Sequence, residues 1–294
     1  NLLKKKIQNF LGLINLKEEN KKILKNLGVI NSKINKYQSY NNIQDYEFQV
    51  FSQFGDDGII QFLLNNINVY NKKFVEFGVE NYEEANTRFL LECFSWNGLV
   101  IDSDISHIKY IKNQNYYWRN QLITSCDFIT KKNINLILQK NNSIGDIGIL
   151  SIDIDGNDYW IWEEINIINP SIVIIEYNAR FGYEDSVTIP YNEDFNRKKI
   201  KEGNIYYGAS LSALSKLAKK KNYSLICTNS NGNNAYFVKN ELLTSENNLI
   251  KEHTPKECFN INSFKENKDK NNNIIYVSKE EEYELLKKID LVKI

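Results

Sequence analysis

From Lys73 to Val238, short apolar runs alternate with segments whose apolar residues recur every three or four positions. That alternation is the mark of β-α-β units and a largely parallel sheet. The runs predict strands over Lys73–Gly78, Gly98–Asp102, Gln121–Ser125, Ile147–Asp153 and Ile172–Glu176. The periodic segments predict helices over Glu84–Ser95, Ile105–Gln114, Lys131–Lys140 and Asp158–Ile165. A further helix starts at Ser210, a candidate N-cap, with apolar positions 211, 214, 217 and 218. Two more runs, Tyr223–Thr228 and Asn234–Val238, flank a polar Asn/Gly connection and read as an antiparallel hairpin. Five parallel strands closed by that hairpin give an α/β fold with a seven-stranded mixed sheet.

The flanks differ in pattern. Residues 1–45 are rich in Lys and Asn with helical spacing at Ile23, Leu24 and Leu27, a helical N-terminal extension. Residues 46–240 form the main domain, opening with the turn Gly55-Asp56-Asp57-Gly58 before a helical run at 59–64. Residues 241–294 are a charged C-terminal extension with a Lys/Asn tract at 265–273, a strand at Ile274–Val277 and a capping box, Ser278 to Glu281. The segment 181–206 has no period and contains Pro190, as expected of a lid or binding loop.

Composition narrows the function. The chain is 42% hydrophobic and 13% aromatic, enough for a large core. Its 37 basic and 37 acidic residues cancel, which argues against a nucleic-acid binder. Four scattered cysteines lack a C-x-x-C pair, pointing to a reduced, cytoplasmic setting without a metal knuckle. No apolar run approaches a membrane span, so no stable membrane insertion is expected. The apolar stretch at 10–14 is too short for a signal peptide and lacks a cleavage site, and an amphipathic helix is expected there. The first residue is not Met, and a trimmed chain is expected. With His107 and His253 the only histidines, catalysis must rely largely on other groups.

The chemistry concentrates at strand ends, where open α/β sheets bind ligands. The run Ile147–Ile152 ends in Asp153-Ile154-Asp155-Gly156-Asn157-Asp158, and the next run ends in Glu176-Tyr177-Asn178. Such an oxygen-rich edge suits Mg²⁺ or Mn²⁺. Asp153, Glu176 and Asn178 are the candidate metal ligands, and Asp153, Asp155 and Asp158 the candidate catalytic acids or bases. Strand alternation places Asp153 and Asp155 on one side. Glu76 and Gly78 end the first strand, Asp102 the second, and Asp127 follows the third. An acid in the Asp102 position bonds ribose hydroxyls in nucleotide folds, and Asp127 would meet an adenine amino group. Arg180, Tyr207 and Ser210 are candidate substrate contacts, although a helix cap explains Ser210 equally well. The trio Arg197-Lys198-Lys199, like Arg180, could receive a phosphate or nucleotide on the acceptor, although a solvated surface explains the trio more simply.

The phrases Ser52-Gln53-Phe54-Gly55-Asp56-Asp57-Gly58, Phe74-Val75-Glu76-Phe77-Gly78, Asn86-Thr87-Arg88, Leu150-Ser151-Ile152-Asp153-Ile154-Asp155-Gly156-Asn157-Asp158, Ile175-Glu176-Tyr177-Asn178 and Tyr207-Gly208-Ala209-Ser210-Leu211 resemble FkbM-related S-adenosylmethionine-dependent methyltransferases. Within that group they are most similar to bacterial enzymes that O-methylate sugars of capsule or other surface polysaccharides. The resemblance spans roughly residues 50–240 and implies a Rossmann-like class I methyltransferase fold. It implies that Glu76 and Gly78 cradle the methionine part of S-adenosylmethionine, Asp102 the ribose and Asp127 the adenine. Many relatives carry a Lys two residues before the first acid of the fourth strand, where this chain has Ser151. A lysine base is therefore missing.

Three rival readings use the same residues. Asp153-Ile154-Asp155 is a D-x-D that would hold a nucleotide-sugar in a metal-dependent glycosyltransferase. Positions 153, 155, 157 and 164 imitate an EF-hand loop, but Asp158 stands where its glycine belongs. A non-catalytic scaffold of the same fold is the third. The acceptor, a free or nucleotide-linked sugar, is not written in these residues, and the two extensions are candidate homodimer surfaces.

Overall fold

The computed structural model describes residues 2–199, 205–243, 249–262, 266–268, 274–276 and 278–294. Parts of the 181–206 segment, most of the 265–273 tract and Val277 lie outside these. The chain opens with one long helix, α1 (Leu2–Asn35), followed by α2 (Asp56–Asn66). The alternating region comprises β1 (Lys73–Phe77), α3 (Arg88–Cys93), β2 (Asn97–Asp102), α4 (Ile105–Lys112), α5 (Asn115–Arg119), β3 (Leu122–Cys126) and α6 (Ile134–Lys140). It continues through β4 (Gly145–Ile152), α7 (Asp158–Glu164), β5 (Ile168–Glu176), β6 (Val187–Thr188), α8 (Leu211–Lys220), β7 (Tyr223–Thr228) and β8 (Asn234–Lys239). The C-terminal region holds α9 (Pro255–Cys258), β9 (Glu266–Lys268), β10 (Ile274–Tyr276), α10 (Lys279–Leu286) and β11 (Val292–Lys293).

Seven strands form one sheet in the order β3-β2-β1-β4-β5-β8-β7. The first five run parallel, and β8 enters antiparallel between β5 and β7. This is the expected seven-stranded mixed sheet with its hairpin, the class I methyltransferase arrangement. Because Cβ atoms alternate across a strand, Val75 and Phe77 point into a core beneath α6, α7 and α8, while Phe74 points into a second core beneath α2, α3 and α4. Both faces are covered, which explains why these strands read as continuous Ile/Val/Leu runs. Pro170 sits inside β5, before its pairing with β8 begins at Ile172, so its missing N–H breaks no ladder on that side.

The largest shift of a helix start from expectation is at α3, while α6 starts at Ile134 and not Lys131. The helix expected from Glu84 begins at Arg88. Glu80 and Tyr82 adopt positive φ, and the backbone N–H groups of Asn86 and Thr87 donate to Glu76 instead of opening a helix. The result is an open loop over the tip of β1.

Candidate active site

The C-terminal ends of β1 to β5 border one cleft of about 740 Å³, within the range of small-ligand sites. Its floor at β1 depends on Gly78, whose φ is +68°. A Cβ there would lie 1.6 Å from the Asp153 carbonyl oxygen, so only glycine lets the β1 tip and the acid loop approach so closely. Glu76, on the helical α2–α3 side, is buried, and both its oxygens are engaged. It accepts from Asn86 N (2.8 Å), from Thr87 N (3.1 Å) and Oγ1, and from Ser151 Oγ (3.3 Å). Burial raises its pKa against these bonds. Glu76 therefore shapes the loop of the cleft as well as lining it.

Asp102 ends β2 at the cleft wall. Its Oδ2 accepts from Glu80 N (2.8 Å), and its Oδ1 accepts from Asp104 N (2.8 Å) and lies 3.1 Å from His107 Nδ1. Asp127 N donates to the Asp102 carbonyl at 3.1 Å, which sets the tips of β2 and β3 side by side. Ser125 Oγ donates to the Asp127 carboxylate. Beside Asp127, the half-exposed ring of Phe128 offers the cleft a flat apolar face. Sequence reasoning passed over Phe128 and His107. The signal for the first was an aromatic directly after a strand-end acid, and for the second a histidine one helical turn beyond another.

At the other end, oxygens of Asp153, Asp155 and Glu176 converge within 4.8 Å of one another. Glu176 Oε2 is buried without a hydrogen-bond partner. Burial first, then repulsion within the cluster, holds the Asp153 and Glu176 carboxyls well above the usual carboxylate range. A buried, unsatisfied carboxylate oxygen beside two further acids is the donor set a hard divalent cation takes. Alternation is not what joins Asp153 to Asp155, because β4 ends at Ile152. Asp155 turns back through a left-handed backbone, φ +61°. Arg197 from the 181–206 segment forms an ion pair with Asp155 and lies 3.9 Å over the Tyr207 ring. Burial opposes its charge, but Glu176 and Asp155 outweigh that and raise its pKa.

Several expected site residues lie elsewhere. Asn178 was expected among the metal ligands, yet its side-chain N–H groups donate to the carbonyls of Ile205 (2.7 Å) and Tyr207 (3.0 Å), and its Oδ1 accepts from Arg180 N. It pins the returning chain, and Asp155 takes its place in the acid group. Asp158 is fully buried and clamps the acid loop by accepting from Ile154 N and Gly156 N, each at 2.8 Å. Burial pushes its pKa up to about 6. Arg180 turns to Glu282 of α10, 2.8 Å away. Tyr207 is buried beneath Arg197, and Ser210 caps α8 by accepting from Ala213 N and Val187 N. None of these five lines the cleft. The Lys198 side chain lies outside the described residues.

No protein-family model matches this chain, and no curated protein matches it. Among solved structures, it is similar to an S-adenosylmethionine-dependent methyltransferase from Clostridium acetobutylicum (12% identity, TM-score 0.40, covering 63% of this chain and 90% of that one). It is also similar to an O-methyltransferase from Bacillus cereus solved with S-adenosylhomocysteine (11%, 0.34, 57% and 74%). A third is a putative O-methyltransferase from Klebsiella pneumoniae (10%, 0.35, 74% and 90%). The chain has the fold of class I S-adenosylmethionine-dependent methyltransferases, defined by its strand order and terminal hairpin.

Proposed function

We propose that this chain is an S-adenosylmethionine-dependent methyltransferase. Its acceptor in this reading is a hydroxyl of a sugar or sugar-linked group, of the kind assembled into bacterial surface polysaccharide. The observation that carries the reading is the continuity of one cleft from the Asp102 and Asp127 strand tips to the Asp153–Glu176 acids. Such a cleft fits a donor at one end and an acceptor at the other. Bound S-adenosylmethionine supplies an electrophilic methyl group on a sulfonium. Asp102 takes the ribose hydroxyls, Asp127 the adenine amino group, and Phe128 stacks on the base.

The chain must then orient the acceptor and hold its proton. Orientation within a closed site removes several kcal/mol from a transfer barrier. Without a cation, Asp153 or Glu176, whose carboxyls burial holds above the usual range, would take the hydroxyl proton once ionised. With a divalent cation on Asp153, Asp155 and Glu176, these carboxylates would serve as ligands and not as bases, and the cation would acidify the hydroxyl, whose proton passes to solvent. Arg197, already paired to Asp155, sits where an anionic or hydroxyl-rich acceptor enters.

The test is calorimetry with S-adenosylhomocysteine on the wild type, Phe128→Ala and Asp102→Ala. Micromolar binding is expected, weakened by about 10- to 100-fold in Asp102→Ala, as for loss of a charged hydrogen bond. A folded wild type that binds a nucleotide-sugar with Mn²⁺ but not S-adenosylhomocysteine would replace this reading with the glycosyltransferase one.

A further inference from the structure

Helix α1 carries two opposed faces. One is bound to the body through Lys21 to Glu83 (3.0 Å), Lys25 to Glu92 (3.1 Å) and Ser32 Oγ to Gln61 (2.8 Å). Between them Gly28 lets the helix approach closely, since a Cβ there would lie 2.3 Å from Val50 and 2.9 Å from Phe89. The opposite face exposes Leu16, Ile23, Leu24, Leu27, Ile30 and Ile34, each about half exposed. Leu16, Ile23 and Ile30 repeat every seven residues, and Leu27 and Ile34 repeat every seven between them. That is the seam of a two-helix coiled coil, with the body-bound residues on the far side. Six half-exposed Leu and Ile side chains amount to roughly 500 Å² of contiguous apolar surface, at the upper end of what a monomer exposes.

We infer that this seam binds the same helix of a second copy of the chain, antiparallel, about a two-fold axis near residue 25. In that register Leu16 meets Ile34 of the second copy, Ile23 meets Leu27, and Leu24 lies across the axis from its own mate. Charge decides the direction. Glu19 and Lys33 are exposed, and both flank the same side of the seam. An antiparallel pair sets Glu19 beside Lys33 of the second copy, twice, whereas a parallel pair sets Glu19 beside Leu24. A membrane-lying helix would instead carry basic residues along both flanks, and here Glu19 stands in one of them. A contact of this kind is self-complementary and closes at two copies.

The test is sedimentation velocity of the full chain over a range of concentrations. The expected mass is twice the 34.5 kDa of one chain. Leu27→Asp places an unpaired carboxylate in the seam and should weaken the dimer on the order of a hundredfold, with an unchanged circular dichroism spectrum. Glu19→Lys should weaken it by about tenfold through two repelling pairs, and Glu19→Lys with Lys33→Glu should restore it. Three results overturn the inference: a monomer at the highest concentration reached, a dimer indifferent to Leu27→Asp, or a charge reversal that the second reversal does not rescue. Sedimentation of a monomer with anionic vesicles would assign the stripe to a lipid surface.

Discussion

The acid group shows how one residue's environment sets both its chemistry and its test. Asp153 and Glu176 are held above the ordinary carboxylate range by burial and by each other. A raised folded-state pKa means that the native protein keeps protons which the unfolded chain has released. The cluster's stabilising contribution is therefore complete in acid and is lost as the pH rises through the raised values. A divalent cation takes the place of those protons, so its affinity should climb with pH. Mn²⁺ affinity, measured by calorimetry over a range from about pH 5 to pH 8, is expected to go on rising above the ordinary carboxylate range. Glu176→Gln should weaken Mn²⁺ binding by about tenfold or more and stabilise the cation-free protein at the upper end of that range. Affinity that stays flat across the range, or a Gln variant that binds as well, would remove the cation from the site. The acids themselves were legible in the sequence as strand-end residues. What was not legible was their direction. Asn178 and Asp158 carry suitable side chains, but both are spent on backbone groups that only the folded loops bring near them. Asp155 reaches the cluster through a left-handed turn that alternation does not describe.

Elements were read best where both faces of a strand are buried, because burial forces an uninterrupted apolar run. β7 runs from Tyr223 to Thr228 as expected, and β1 to β5 differ from expectation only at their ends. Helices were read less well where a side chain competes for the backbone, as Glu76 does before α3. The same competition governs the segment before α2. There Asp57, buried at the start of the helix, accepts from Val50 N (2.7 Å), Phe51 N (2.8 Å) and Ser52 N (2.9 Å) with one oxygen. Phe51 in turn accepts from Ala85 N, so this turn also supports the loop over β1. Asp57→Ala would strand three backbone donors, two of them buried, and is expected to destabilise the protein by about 2–4 kcal/mol. Asp57→Asn, which keeps one acceptor, should lose less. Urea unfolding of the three proteins measures the difference, and equal stability of Ala and Asn would show that these bonds contribute little.

At the scale of the whole molecule, two distant segments converge on the Asp153–Glu176 end of the cleft. The 181–206 segment is sutured to the acid loop by Asn157 Nδ2 donating to the Asn192 carbonyl (2.8 Å), and by Phe195 packed on Gly156, where a Cβ would lie 2.2 Å from the ring. The C-terminal extension holds that segment from outside. β11 pairs antiparallel with β6, Ile294 N donates to the Ser186 carbonyl (2.9 Å), and Glu282 of α10 partners the buried Arg180. Neither link could be read from sequence, because a two-residue strand carries no periodicity and an ion pair across about a hundred positions leaves no local trace. Among the described residues, the Asp102–Asp127 end, built from β1 to β3, has no contact of this kind with the extension. Removing residues 287–294 should therefore loosen one end of the cleft and spare the other. Trypsin cleavage in the Arg197–Lys199 stretch is expected to accelerate by at least about tenfold, since proteolysis follows the population of the opened segment. S-adenosylhomocysteine affinity should stay within about twofold, because the contacts proposed for it lie at the tips of β1 to β3. Unchanged proteolysis would show that β11 is not what holds the segment in place, and a parallel loss of S-adenosylhomocysteine affinity would show that the two ends of the cleft are one cooperative unit.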